Sequence, residues 1–365
     1  MNPQMGSLPN HTAHAFQRKA NTMYDIIVIG AGPTGSSAAR ELAANGYRVL
    51  LVEKFRMPRN KSCSGILIRK SVELVGAYFG EDVPHSVTCA PSESRGIVFT
   101  NDAGQEYRYE QSGLNIWRSA FDAWLAGKAA EAGAELRDAT AAVRCEEQAD
   151  RVTVTLKGPL GHCSESARIV IACDGAVSTI RRGLTRARPD NVITYQTFHT
   201  GSIDLDPHYF YAYLQPQFSG YDAWFNVKDD SLIFGVSAQD PSRISHYYAE
   251  FIAYMKARHN AIIRSQEKTE RWIMPRVIPG CPVEHGRGRV LFAGETAGFL
   301  NPMGEGISSG LESGHAAARA ILQASFGDMP AVHAAYKEGT AELKTYMERQ
   351  WRLVAGLSDK FAHMR

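Results

Sequence analysis

The hydrophobic pattern of the chain opens with an apolar run, a glycine-rich turn and an amphipathic stretch. Residues 24–54 read YDIIVIGAGPTGSSAARELAANGYRVLLVEK. The first run is apolar without alternation, which predicts a strand covered on both faces. Small apolar residues at helical spacing follow the turn, and a second apolar run completes the unit. Because parallel strands joined by a helix cross over with one hand, this order predicts the start of a parallel α/β sheet.

The pattern then changes from continuous apolar runs to alternation. Residues 56–75 are polar and basic, and they predict a loop that leads into a helix. Residues 93–109 alternate around the turn NDAGQ, which predicts a β-hairpin. Residues 117–133 carry apolar side chains on one helical face, and three short strands are predicted from there to about residue 172.

The second half of the chain is first rich in aromatic side chains and then returns to a continuous apolar run. Residues 192–285 predict four or five strands, a helix near 241–258 and one further strand. The run GRVLFAGE predicts a return to a buried strand, and helical segments are predicted at about 304–324 and 330–362.

Composition and charge exclude several classes of function. The 365 residues include 40 basic and 38 acidic side chains, for a net charge of +2. This balance gives no argument for binding nucleic acid or an anionic membrane. No apolar run reaches the roughly 18 residues that span a bilayer, although peripheral membrane contact stays open. Residues 1–23 lack the apolar core of a secretory signal, so we interpret them as a flexible extension, with an upstream start or an organelle-transit segment as alternatives.

Cysteine and histidine spacing gives no indication of a metal site. The six cysteines are scattered and form no C-x-x-C pair, which favours a reducing, cytoplasmic location. The histidines do not recur at the spacing of zinc ligands.

The first glycine-rich turn is a G-x-G-x-x-G motif formed by Gly30, Gly32 and Gly35. Such glycines allow a tight turn, the approach of a pyrophosphate and close packing of the helix on the strand. Glu53 ends the next strand, where a carboxylate accepts hydrogen bonds from ribose hydroxyls. The turn therefore predicts a dinucleotide site without a 2′-phosphate, for NAD or FAD alike. We assign the adjoining Pro33 and Lys54 to the same site.

Three later stretches separate FAD from NAD. They read WRSAFDAW from residue 117, CDGAVSTIRR from residue 173, and GETAGFLNPMGEGI from residue 294. Together with the first turn they resemble the FAD-dependent oxidoreductases of the p-hydroxybenzoate hydroxylase type, and within these the geranylgeranyl reductase family. The resemblance implies that these stretches hold FAD through Arg118, Asp174, Gly175, Arg181, Gly294, Glu295, Pro302, Gly304, Gly306 and Ile307.

Glu295 is a departure from the family, which has aspartate at this position. The extra methylene keeps the charge and lengthens the reach of the carboxylate. In the family this residue bonds the ribityl chain of the flavin, so the resemblance predicts either a shifted contact or a looser site.

Two further stretches resemble the reductases on the substrate side. PRNKSCSG resembles P-x-x-K-x-C-G-G, which implies that Lys61 reaches the cofactor and that Cys63 lines the reactive face or takes part in catalysis. GYDAWFNVKDD resembles Y-x-W-x-F-P-K-x-D, which implies catalytic positions at Tyr221 and Trp224. Adjacent strand residues point to opposite faces, so only one of Trp224 and Phe225 is expected to face the flavin.

Tyr211 and Tyr213 lie on a neighbouring predicted strand. With Phe225 they are candidates for the wall of an apolar or aromatic substrate cavity. The alternative is that all three belong to the core of the sheet.

The fold predicted from these patterns is a three-layer, Rossmann-like α/β domain with an inserted, mainly antiparallel β-sheet domain. The FAD-binding domain takes residues 24–85, 110–188 and 286–330. The substrate domain takes residues 86–109 and 189–285, and residues 331–365 form a C-terminal helix.

The function implied by the resemblance is FAD-dependent redox chemistry on an apolar or aromatic small molecule. The leading hypothesis is hydride transfer between flavin N5 and a carbon–carbon double bond. The chain shows no second G-x-G-x-x-G motif, so NAD(P)H would bind transiently, or a partner protein would donate electrons. The alternatives are an NAD(P)H-dependent flavin monooxygenase and a non-enzymatic escort protein that binds prenylated partners. A flavin halogenase is disfavoured because the W-x-W-x-I-P stretch is missing.

Overall fold

The computed structural model describes residues 23–185, 190–302 and 304–364 of the chain. The predicted extension 1–23 lies outside these residues, apart from Met23. The described residues form strands β1 (Tyr24–Ile29), β2 (Val49–Val52), β3 (Ile66–Ile68), β4 (Thr88–Thr100), β5 (Glu106–Ile116), β6 (Glu135–Arg137), β7 (Ala141–Glu147), β8 (Val152–Gly158), β9 (Gly161–Ala172), β10 (Asn191–Ser202), β11 (Tyr209–Tyr213), β12 (Ala223–Lys228), β13 (Ser231–Ala238), β14 (Ile262–Pro275), β15 (Gly286–Arg287) and β16 (Val290–Phe292).

The helices alternate with these strands in the first part of the chain and follow one another at its end. Their bounds are α1 (Pro33–Ala44), α2 (Arg69–Phe79), α3 (Arg118–Glu131), α4 (Thr179–Thr185), α5 (Ile244–His259), α6 (Ile307–Gln323), α7 (Met329–Gly339), α8 (Ala341–Leu357) and α9 (Asp359–Ala362). Within the part of the chain that the structure describes, no helix has both the length and the apolar character needed to cross a membrane.

The first sheet is built around β1, which pairs in parallel with β2 on one side and β9 on the other. Strand β6 extends the parallel pairing beyond β2 and strand β16 extends it beyond β9, where the short β15 adds an antiparallel edge. Strands β7 and β8 form an antiparallel extension on the first half of β9. Because both faces of β1 and β2 are covered, almost all of their side chains are buried, as their continuous apolar runs predicted.

The second sheet has the order β14-β10-β13-β12-β11-β4-β5-β3. Its neighbouring strands are antiparallel except for β4 and β11, which run in parallel. Strands β3 and β5 join it from residues 66–68 and 106–116, although the predicted division placed most of these residues in the FAD-binding domain. The reason is that β5 continues the hairpin with β4 far beyond the turn and then pairs with β3.

The C-terminal segment differs from the single helix that its periodicity predicted. It contains α7, α8 and α9, separated at Thr340 and Ser358. The Ser358 Oγ and the Asp359 backbone N–H each donate a hydrogen bond to the Asp102 carboxylate, at 2.8 and 2.7 Å. These bonds fasten the end of the chain to the β4–β5 hairpin. A period of 3.6 residues does not reveal such breaks, because the apolar face continues across them.

Candidate active site

A cavity of about 530 Å³ lies between the two sheets. One side is formed by the carboxyl ends of β1, β2 and β9 and by the first residues of α1 and α6. The other side is formed by residues of β10, β12 and β14. The edge formed by strand carboxyl ends is where ligands bind in open parallel α/β sheets. The volume is in the range of small-molecule sites.

The first glycine turn lies at this edge and has the shape that a pyrophosphate requires. A Cβ on Gly35 would overlap the carbonyl oxygen of Gly30, so glycine is needed for α1 to pack on β1. A Cβ on Gly32 would meet little beyond Arg59 Nη2 at 3.5 Å, so this side of the turn is open to a ligand. Helix α1 starts there without a side-chain cap, and Gly32 and Pro33 line the cavity. Its free N–H groups suit phosphate oxygens.

Glu53 is buried at the end of β2 and borders the cavity. Its carboxylate accepts hydrogen bonds from the backbone N–H groups of Ala31, at 3.1 Å, and Phe55, at 3.2 Å. Arg59 Nε lies 3.3 Å from the same carboxylate. Lys54 also lines the cavity. These contacts place an oriented carboxylate where the first motif predicts an adenosine ribose.

Arg118 lines the cavity, but its guanidinium is engaged by its own helix. Its Nε and Nη2 donate to the two carboxylate oxygens of Asp122, at 2.8 and 2.9 Å. Arg59 Nη1 lies 2.8 Å from the same carboxylate, so a buried chain of charges runs from Glu53 through Arg59 and Asp122 to Arg118. Burial raises the pKa of Asp122, but the two guanidiniums more than offset this, and the pKa is below its usual value.

Sequence reasoning missed Arg59 and Asp122 as members of this charge chain. Both residues stood inside recognised stretches, PRNKSCSG and RSAFD. The two residues are far apart in the sequence, so no local pattern indicates that they pair. Their contact forms only when the loop that carries Arg59 folds over the start of α3.

The aspartate-glycine turn after β9 also borders the cavity, through Asp174 and Gly175. The Asp174 carboxylate accepts a hydrogen bond from the Thr179 backbone N–H at 2.9 Å and so caps α4. Burial raises the pKa of Asp174. The Gly175 N–H donates to Thr296 Oγ1 at 2.8 Å, which joins this turn to the one at Gly294.

Arg181 is not among the described residues that line the cavity. Its Nε donates to Glu284 at 2.9 Å, and its Nη1 donates to the carbonyl oxygen of Thr296 at 3.1 Å. The structure therefore places Arg181 behind the cavity, where it holds the backbone of the 294–296 turn. Thr296, which carried no motif signal for us, is the residue that both Arg181 and Gly175 contact.

The second glycine-rich stretch brings Glu295, Gly304, Gly306 and Ile307 to the cavity. The Glu295 carboxylate accepts a hydrogen bond from Lys61 Nζ at 3.0 Å. Burial raises the pKa of Glu295, but Lys61, Arg118 and the Ala176 backbone N–H together lower it more, and the pKa is below its usual value. Helix α6 starts beside this pair without a cap from Gly306.

Three predicted cofactor residues of the glycine-rich stretches stand behind the cavity. Gly35, Gly294 and Pro302 are absent from the described cavity lining. The Gly294 N–H donates to Ser313 Oγ at 3.0 Å, and the Pro302 carbonyl oxygen accepts from the Tyr221 hydroxyl at 3.2 Å.

The loop that carries Lys61 and Cys63 lines the cavity. The Gly65 N–H donates to Cys63 Sγ at 3.3 Å, which turns the thiol back over the loop. A Cβ on Gly65, where φ is +71°, would overlap the ammonium group of Lys228. Lys228 is buried and donates to the carbonyl oxygen of Ile116 at 2.7 Å. Burial lowers the pKa of Lys228. The Ile116 N–H donates to the carbonyl oxygen of Gly65 at 2.8 Å, and this bond fixes the loop to the second sheet beside the buried lysine.

Strand β12 presents Trp224 to the cavity and turns Phe225 away from it. Phe225 packs in a separate core with Tyr211 and Tyr213, whose side chains are likewise absent from the described cavity lining. The structure therefore supports the sheet-core alternative for these three residues. Tyr221 is buried against Phe361 behind the cavity, not within it. The period of two along β12 separates the two sets of residues.

Strand register also changes how the aromatic motif aligns with this chain. Aligned on Lys228, the pattern Y-x-W-x-F-P-K-x-D has its tyrosine at Asp222 and its phenylalanine at Asn226. Asp222 and Trp224 line the cavity, as residues two apart on a strand should. The match to Tyr221 and Phe225 was out of register by one residue, and the cavity wall is more polar than that match implied.

Strands β10 and β14 supply cavity residues that no motif indicated. Thr194 and Gln196 lie on β10, and Arg271, Trp272 and Met274 lie on β14. The aromatic-rich pattern of residues 192–285 predicted the strands themselves. Which face meets the first sheet depends on how the two sheets pack, and that is not a local property of the sequence.

Comparisons with known proteins show the family of the chain and its relatives. Residues 23–277 match the model of the FAD binding domain family. The digeranylgeranylglycerophospholipid reductase 1 of Methanopyrus kandleri is 28% identical over 323 residues, which are 82% of this chain and 81% of that protein.

Two solved structures share the fold. A geranylgeranyl bacteriochlorophyll reductase-like protein from Thermoplasma acidophilum superposes with a TM-score of 0.79 at 20% identity, over 92% of this chain and 87% of that one. A myxobacterial chondrochloren halogenase superposes with a TM-score of 0.69 at 16% identity, over 92% of this chain and 82% of that one. The predicted p-hydroxybenzoate hydroxylase-type fold is confirmed. The chain belongs to the FAD binding domain family, and it is an FAD-dependent oxidoreductase that resembles the geranylgeranyl reductases.

Proposed function

We propose that the protein reduces a carbon–carbon double bond in a largely apolar, prenyl-type substrate. The observation that carries the proposal is the continuous cavity, which has the dinucleotide cradle on one side and a wall of the second sheet on the other. A substrate on that wall would face the flavin end of the cradle. The names of the relatives, digeranylgeranylglycerophospholipid reductases, support a prenyl chain as the substrate class.

The residues present fit FAD. Glu53 and the open turn at Gly32 would hold the adenosine and pyrophosphate end, while Glu295 and the start of α6 would hold the flavin end. FAD, when bound, supplies two-electron hydride transfer. The uncapped start of α6 favours negative charge near it by about 0.3–2 kcal/mol.

The protein's own contribution is to position the substrate and exclude water. Trp272, Met274 and Leu300 line the cavity and provide apolar contact. Cys63 stands on the loop between the cradle and the second sheet, so we propose that it contacts the reacting part of the substrate. Reduction of one double bond takes two electrons and two protons. We propose that NAD(P)H, bound transiently, or a donor protein supplies the electrons.

The test uses purified protein loaded with FAD, reduced with dithionite under argon and mixed with a geranylgeranyl-bearing glycerophospholipid. We expect products heavier by two hydrogens for each reduced bond, detected by mass spectrometry. Unreduced protein is the control. A product with one added oxygen, formed in air with stoichiometric oxygen consumption and NADPH, would instead establish a monooxygenase. Failure to bind FAD after reconstitution would contradict both functions.

A further inference from the structure

Two residues that line the cavity each carry a buried polar atom without a hydrogen-bond partner among the described residues: Gln196 Oε1 and Trp224 Nε1. Gln196 is 1% exposed and Trp224 is 7% exposed. An unpaired polar group in such a place costs about 1–3 kcal/mol, so buried polar groups are nearly always paired. One atom is an acceptor and the other is a donor. The wall therefore offers a complementary pair to a ligand.

The two residues lie in one row across three strands. Gly235 on β13 pairs with Gln196 on β10 and also with Trp224 on β12. A Cβ on Gly235 would overlap indole atoms Cε2 and Cζ2 of Trp224, so the indole lies over the glycine. Nε1 is bonded to Cε2, and opposite Cβ positions on antiparallel strands are about 4.5–5.5 Å apart. The indole therefore extends from β12 over β13 toward the strand that carries Gln196.

The orientation of the Gln196 amide follows from its other neighbour. Its Nε2 donates to the Glu270 carboxylate at 2.7 Å. Burial raises the pKa of Glu270, but the hydrogen bonds from Lys268, Asn60 and Gln196 and the charge of Lys268 together lower it more, so this side chain is a carboxylate that only accepts. The NH₂ group must face Glu270, which leaves Oε1 as the end that faces away.

We propose that Gln196 and Trp224 form a subsite for a neutral hydroxyl group on the substrate. A hydroxyl donates to Gln196 Oε1 and accepts from Trp224 Nε1 at the same time. A carboxylate or ketone has no proton for Gln196, an ammonium group accepts nothing from Trp224, and a hydrocarbon satisfies neither. The subsite rests on the proposed function, because it takes this cavity to be the substrate site, and it narrows the substrate to an apolar molecule that carries an alcohol or phenol.

The test measures binding to the FAD-loaded protein without turnover. The probes are geranylgeraniol and its methyl ether, titrated in detergent and followed by the change in flavin absorbance and by calorimetry. We expect the alcohol to bind about tenfold more tightly, which corresponds to about one net hydrogen bond. Trp224→Phe and Gln196→Met should each remove this preference. Thr194→Val removes a cavity hydroxyl from the same face of β10 and should leave the preference intact.

Equal binding of alcohol and ether by the unchanged protein would overturn the proposal and leave water as the partner of the two atoms. If neither the alcohol nor the ether binds, the proposal is overturned too. Loss of FAD affinity in both Trp224→Phe and Gln196→Met would overturn it as well, because the pair would then serve the flavin. A preference for the alcohol without any reduction of double bonds would sink the reductase function and keep the hydroxyl subsite.

Discussion

Lys61 Nζ lies 3.0 Å from Glu295 Oε1, which joins two segments 234 residues apart at the proposed flavin end of the cavity. Both side chains are about one-fifth exposed. The extra methylene of Glu295, relative to the aspartate of the family, thus ends in a defined ion pair. This pair fixes the loop that carries Cys63 to the turn before α6.

Replacing Glu295 by Ala should weaken FAD binding about tenfold, since a hydrogen bond to a charged group contributes about 1.5–3 kcal/mol. Lys61→Met should weaken it to a similar extent, and the double variant should lose less than the sum of the two effects. Fluorescence titration of the apo-protein with FAD gives the dissociation constants. Unchanged affinity in Glu295→Ala would show that the pair does not support the cofactor. Glu295→Asp is the matched control, because it keeps the carboxylate charge but shortens the side chain by one methylene.

Replacing Arg59 by Met should destabilise the fold, because Glu53 and Asp122 would lose a shared buried cation. Breaking a buried ion pair costs about 3–5 kcal/mol, and we expect the lower end because Asp122 keeps Arg118. Urea unfolding of the apo-protein measures the change. Arg56→Met is the control, since Arg56 is an exposed residue of the same loop. A loss below about 0.5 kcal/mol would mean that the charge chain is not stabilising.

Replacing Gly235 by Ala should displace the Trp224 indole, because the new Cβ would overlap its ring. Overpacking of this kind typically costs about 1–3 kcal/mol. We expect altered near-ultraviolet circular dichroism and a lower unfolding midpoint. Gly76→Ala, where the added methyl group on α2 meets nothing within 4 Å, should be neutral or slightly stabilising. An unchanged spectrum in Gly235→Ala would argue against the indole position.

Because of Lys360 on α9, the stability of the folded protein should depend on pH in the alkaline range. Burial lowers the pKa of Lys360 from 10.5 to about 8, although Asp222 and Asp102 oppose this effect. Between these two values the unfolded chain binds more protons than the folded one, so stability rises with pH by at most about 1.4 kcal/mol per unit.

Urea unfolding from pH 7 to pH 10 measures this slope. Lys360→Met should reduce the slope, whereas Lys344→Met, at an exposed lysine of α8, should keep it. Equal slopes in the unchanged protein and in Lys360→Met would contradict the assignment.

Local patterns in the sequence determined the strands, the first helices and the glycine turns of this protein. Continuous apolar runs predicted β1 and β2, and the spacing of Gly30, Gly32 and Gly35 predicted the cradle that the structure has. These features depend on residues that are neighbours in the chain. The side chains of a strand repeat every two residues and those of a helix every 3.6, so a short stretch of sequence reveals them.

Tertiary structure alone decided which side chains meet in the site. Arg59 meets Asp122, Thr296 joins two distant turns, and Gln196 shares a row with Trp224. Each pairing depends on strand register or on the way one segment folds over another. A shift of one residue along β12 would exchange Trp224 for Phe225 at the cavity. The sequence by itself therefore determined that a dinucleotide is held, whereas packing of the two sheets decided what faces it.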